Sequence, residues 1–238
     1  MSETMSISTP DGAFEAYVAV PEGSGPWPGV VVIQEIFGVN AIVRTAADRL
    51  AKLGYLAVAP DLFWRQEPGV QLTDKSEAEW AHGFKLMKGF DFDKGMEDIQ
   101  ATITALRGDP RCTGKVGAVG YCLGGQLAYL AATRTDADAS VGYYGVAIDK
   151  RLDEADKIKT PLLLHIAMQD EYSSPEARDK IIAALKGKPG VEIETYAETN
   201  HAFAREGGAH YDRFNAKLAD ARTAIFLTKA LTAETAGA

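Results

Sequence analysis

The residues best equipped for chemistry lie in Gly120-Tyr121-Cys122-Leu123-Gly124-Gly125. This is G-x-S-x-G with cysteine in the nucleophile's place, a pattern that holds its central residue on a sharp strand-to-helix bend. Glycines two positions either side let neighbouring backbone pass close by. A helix starting at the cysteine would bring the positive end of its dipole to the sulfur and favour thiolate. With 23 glycines in the chain, the bare pattern arises by chance about once in ten sequences of this composition. Its setting therefore decides: residues 115–119 read as a strand and 123–133 as a helix, as the motif requires. The ordinary alternative is a buried cysteine serving as a small apolar side chain. The stretch is not a dinucleotide loop, since G-x-G-x-x-G aligned on Gly120 and Gly125 needs glycine at Cys122.

A thiol nucleophile needs a base, and the chain has four histidines. His165 lies inside an apolar strand and reads as a satisfied core residue; His82 sits in an irregular helical segment and His210 beside the terminal helix. His201 follows the last strand, at the edge of the sheet where such folds keep their sites. The orienting acid should fall between nucleophile and base in chain order. Asp170, after the strand at 161–167, meets that requirement, with Glu171 as its rival. Glu35 follows the aliphatic run Val30 to Ile33, where a carboxylate could hold the thiol proton at rest or pair with an arginine. Arg205, four residues past His201, could clamp a substrate carboxylate with its planar fork; an exposed surface arginine is the common alternative.

These residues need a scaffold, and the chain alternates strands with helices. Segments 5–9 and 14–20 read as a hairpin turning at Pro10-Asp11-Gly12. Short aliphatic runs at 29–33, 55–59, 115–119, 139–143 and 161–167 read as strands, with 191–197 as the last; runs this apolar suit strands buried on both faces. Helical spacing appears at 41–53, 93–107, 123–133, 175–186 and 211–231. Residues 62–89, rich in aromatics, read as a loop plus a helix at 77–87 covering a cleft. Repeated β-α units imply a mostly parallel sheet of seven or eight strands with helices on both faces: an α/β fold in one domain over 1–238, with a frayed tail at 232–238.

Composition narrows the function. Acidic residues number 33 and basic ones 25, a net charge of −8 that argues against nucleic-acid or anionic-membrane partners. No aliphatic stretch is long enough to span a bilayer, no basic-then-apolar leader opens the chain, and two cysteines make no disulfide framework. A reduced cytoplasmic protein is expected. Neither H-E-x-x-H nor paired C-x-x-C occurs, so no metal or other cofactor is expected.

With these residues in view, the sequence resembles the dienelactone hydrolase family of α/β-hydrolases over nearly its whole length. The resemblance rests on Gln34-Glu35-Ile36-Phe37-Gly38, Pro60-Asp61-Leu62, the stretch around Cys122, Asp170 and His201-Ala202-Phe203. It implies a Cys-His-Asp triad at Cys122, His201 and Asp170, a role for Glu35 in thiol activation, and an oxyanion hole from the backbone N–H groups of Ile36 and Leu123. On the substrate side it implies contacts at Phe37 and Arg205. A second family arginine is replaced by Trp80, and a nearby tyrosine by Phe84, when positions are counted back from Phe90-Asp91. Losing a bidentate cation costs about 1.5–3 kcal/mol, so a more apolar acyl or alcohol group is expected. The expected function is ester or lactone hydrolysis through a thioester, on a small-molecule substrate, by a monomer. The competing expectation is a thiol redox sensor or a silent binding scaffold on the same fold. A serine-type esterase is excluded because no serine occupies the elbow.

Overall fold

The computed structural model describes residues 2–232. Aliphatic and small residues build the middle of the sheet: β3 (Trp27–Ile33), β4 (Leu56–Pro60), β5 (Cys112–Tyr121), β6 (Ala139–Tyr143) and β7 (Leu162–Ala167), in which β4, β6 and β7 are buried throughout. A hairpin, β1 (Ser2–Thr9) and β2 (Gly12–Ala19), closes one edge, and β8 (Val191–Tyr196) the other. Strand β8 exposes Glu192 and Thr195 and half-buries Val191, Ile193 and Glu194, as an edge strand should. The sheet order is β1-β2-β4-β3-β5-β6-β7-β8, antiparallel across β1, β2 and β4 and parallel from β4 to β8. This is the α/β-hydrolase arrangement expected from the sequence.

Helices cover both faces. They are α1 (Ala41–Lys52), α2 (Glu77–Lys88), α3 (Phe92–Arg107), α4 (Leu123–Arg134), α5 (Pro175–Leu185) and α6 (Arg213–Leu231). The pleat separates them: Gly29, paired with Val116, faces Leu106 of α3, whereas the next residue of β5, Gly117, faces Leu227 and Leu231 of α6. Side-chain caps set the helix starts at Asn40, Ser76, Asp91, Ser174 and Asp212. The Asp212 cap explains why the last helix begins at 213 rather than at 211 as the spacing predicts.

A ten-residue 3-10 segment, Ile148–Lys157, was not expected. It is entered through Ala147 in a left-handed conformation and buries Ile148, Glu154 and Ala155. Among the described residues no helix is long and apolar enough to cross a membrane. Of the tail expected to fray, 233–238 lies outside the described residues.

Candidate active site

The loops leaving the carboxyl ends of β3, β5, β6, β7 and β8 converge. The four non-glycine residues described with positive φ all lie there: Cys122 (57°), Tyr144 (38°), Ala147 (53°) and Ala202 (61°). Each costs of order 1–3 kcal/mol, so the strain of the molecule is concentrated at this edge.

Cys122 sits between the end of β5 and the first residue of α4. Its N–H donates to the Tyr143 carbonyl at 3.1 Å, and its own carbonyl accepts from Gly125, Gln126 and Val146. The flanking glycines are required by contact. A Cβ on Gly120 would stand 1.9 Å from the Gly124 carbonyl oxygen, and one on Gly124 would stand 2.3 Å from that of Ile33.

His201 reaches this elbow from the loop after β8. Its Nδ1 lies 2.9 Å from Asp170 Oδ2, both side chains being buried. The other oxygen of Asp170 accepts the Tyr172 N–H at 2.8 Å. Asn200 Oδ1 accepts from the N–H groups of both Glu171 and His201, tying the acid loop to the base loop. Glu171 itself points outward, half-exposed, 3.6 Å from His210, so the acid beside the imidazole is Asp170. Tyr144 and Tyr172 pack edge-on against the imidazole at 5.2 and 4.8 Å. Burial opposes charge on His201, but the Cys122 sulfur and the Asp170 carboxylate outweigh it and push the imidazole up to about 10.

His165 is a core residue, hydrogen-bonded to Tyr196 and Thr223, and His82 pairs with Glu67 near the surface.

Glu35 and Arg205 form the second buried unit. Arg205 Nε and Nη2 donate to the two carboxylate oxygens of Glu35 at 2.8 and 3.0 Å, and Nη1 lies 3.4 Å from Asp74. Of the two options for Glu35, the structure shows pairing with an arginine. The same contact occupies the fork of Arg205 that was expected to meet substrate. The guanidinium lies over Phe37 and Trp80, at 5.1 and 5.8 Å from the ring centres.

A cavity of about 590 Å³ opens over these groups. Cys122, His201, Arg205, Ile36, Trp80 and Phe84 all contribute to its wall. Phe37 does not: it is 1% exposed and lies beneath Trp80, edge to face at 4.9 Å. Leu123 is buried too, yet as the first residue of α4 its N–H has no acceptor within the helix. Sequence reasoning missed Tyr144, Tyr172, Asn200 and Asp74. Tyr144 and Tyr172 follow strand ends, the signal that found Asp170 and His201; Asp74 carried none.

A model of the dienelactone hydrolase family matches residues 14–231. The chain belongs to the dienelactone hydrolase family. A carboxymethylenebutenolidase of Pseudomonas putida is 40% identical over 95% of this chain and 96% of its own length. A relative from Azospirillum brasilense, provisionally named for the same activity, is 49% identical over 93% of this chain and 95% of its own. A crystal structure of a protein from Klebsiella pneumoniae subsp. pneumoniae, provisionally named a dienelactone hydrolase, superposes with a TM-score of 0.83 at 26% identity, covering 98% of this chain and 99% of that one. As a dienelactone hydrolase-like protein, the chain is a carboxylic ester hydrolase.

Proposed function

We propose that this dienelactone hydrolase-like enzyme cleaves ester or lactone bonds through a thioester on Cys122. The observation that carries the reading is the 2.9 Å contact of His201 with Asp170, beside a cysteine held on a left-handed bend. The Cys122 thiolate attacks the carbonyl carbon, and the developing oxyanion accepts the N–H groups of Ile36 and Leu123, each worth about 3 kcal/mol to the transition state. As the tetrahedral intermediate collapses, the C–O bond breaks and His201 gives its proton to the leaving alkoxide. A lactone leaves its alcohol tethered to the acyl group. His201 then takes a proton from water, hydroxide adds to the thioester, and the thiolate departs with the carboxylic acid released. Asp170 keeps the imidazole oriented through Nδ1 and compensates its charge. Glu35 acts through Arg205, fixing a buried cation near the sulfur.

The wall formed by Ile36, Trp80 and Phe84 favours a substrate with a bulky apolar portion. Cys122→Ala should reduce turnover of 4-nitrophenyl acetate and of a small lactone to near background while leaving the circular dichroism spectrum unchanged. Undiminished turnover by a folded variant overturns the assignment.

A further inference from the structure

One buried cation takes no part in the chemistry of Cys122 and His201. Arg178 is 6% exposed, and among the described residues it forms no ion pair. Its Nη1 donates to the main-chain carbonyls of Asp170, at 3.0 Å, and of Ser173, while its Nε is buried with no acceptor. The buried face of α5 consists of Arg178, Ile181 and Leu185, at the spacing of one helix stripe. Packing alone would put a third aliphatic side chain at 178. A buried cation without a carboxylate is costly, and an apolar side chain of similar volume is often as stable or more so. A requirement other than packing keeps the arginine.

Its contacts show what that requirement is. The two carbonyls bracket the turn 170–173, which leaves β7 and carries the acid. Within the turn the Asp170 carbonyl also accepts the Ser173 N–H at 3.3 Å, and Asp170 Oδ1 accepts the Tyr172 N–H, which leaves Oδ2 for His201. Tyr172, in the same turn, lays its ring against the imidazole. Asn200 holds the turn to the base loop through the Glu171 N–H, and Arg178 holds it to α5, whose start is fixed by the Ser174 cap and Pro175. Ser173, Ser174 and Ala177 face the cavity, whereas Arg178 is not part of its wall.

We infer that Arg178 is a positioning residue for hydrolysis: its guanidinium clamps the 170–173 turn so that the Asp170 carboxylate meets His201. The inference rests on the reading of Cys122, His201 and Asp170 as a triad. It requires that activity and stability part company in Arg178→Met, which keeps an apolar stem on the buried face of α5 without the charge or the donors.

Hydrolysis of 4-nitrophenyl acetate and urea unfolding would be compared for the full chain, Arg178→Met, Arg178→Lys, Asp170→Asn and the double variant Arg178→Met/Asp170→Asn. Arg178→Met should lower kcat per folded molecule about 10- to 100-fold, the cost of a displaced catalytic group. KM should stay within about twofold, since the substrate wall is untouched, and the urea midpoint should change little. Arg178→Lys, which keeps the charge and a donor, should recover most of the lost kcat. In the Asp170→Asn background, Arg178→Met should cost about twofold or less, because no carboxylate is left to place.

An Arg178→Met chain that does not fold, or that folds less stably with kcat unchanged, has lost only structure and overturns the inference. So does an equal loss of kcat with and without the Asp170 carboxylate, or a lysine variant as slow as the methionine one. Turnover by Cys122→Ala is a separate readout, so failure of the clamp and failure of the chemistry are told apart.

Discussion

His165 and His201 are both buried at the carboxyl-terminal half of the sheet, yet they are opposite in kind. His165, within β7, has only neutral partners on its nitrogens: Tyr196 at 2.8 Å and Thr223 at 2.9 Å, with Tyr143 against its ring. Burial, helped by the positive charge of Arg222, drives it down to about 3, so it is neutral throughout the working range. His201 is nearly as buried, but a carboxylate and a sulfur stand on its two sides and it opens on a cavity. Its affinity for a proton rises where that of His165 falls. Burial alone therefore does not mark a working histidine; charged neighbours and access to a cavity do.

The comparison is broken most directly at the carboxylate. Asp170→Asn should lower kcat about 10³- to 10⁴-fold, because the imidazole loses the partner that fixes its tautomer and compensates its charge. Tyr196→Phe, which removes a neutral partner from His165, should change kcat by about twofold or less. Steady-state rates per folded molecule check both, and equal losses would erase the distinction.

Glu35→Gln probes the second charged unit. It leaves the buried Arg205 without its bidentate partner, and breaking such a pair costs about 3–5 kcal/mol. Urea unfolding should show most of that loss, with part of it recovered when Arg205→Met is added. A loss below about 1 kcal/mol would mean that solvent screens the pair.

The two histidines also differ in how stability depends on pH. For His165 the folded value lies below the unfolded one, so its contribution is fully present above the ordinary histidine range, near 6.5, and is lost as pH falls toward 3. For His201 the folded value is raised, so its contribution is present below 6.5 and is lost as pH rises toward 10. Between pH 6 and 4 the parent chain should lose up to about 1.4 kcal/mol per pH unit through His165, and His165→Asn should flatten that slope. An unchanged slope, measured by urea midpoints, removes His165 as its source.

Much of this arrangement could be read from the chain. Aliphatic runs such as Val30–Ile33 and Leu162–Leu164 read as buried strands, and once the strands are set, Cys122, Asp170 and His201 follow as residues after the ends of β5, β7 and β8. The 3-10 segment was illegible because Ile148, Leu152 and Ala155 are diluted by charges and its entry turns on Ala147, a residue type that gives no sign of a left-handed backbone. The Arg205–Glu35 pair joins positions 170 residues apart and leaves no local trace. Phe37 was placed at the substrate because it belongs to the Gln34–Gly38 motif, but it packs under Trp80 and Arg205 and supports the wall from behind.

The central claim is that acyl groups pass through one sulfur atom. It is tested by quenching the enzyme in acid during turnover of 4-nitrophenyl acetate and locating the modification by peptide mass spectrometry. The account predicts an acetyl group on the peptide carrying Cys122, labile to hydroxylamine and absent from the Cys122→Ala variant. An acyl group on any other residue, or steady turnover with Cys122 never modified, would contradict it.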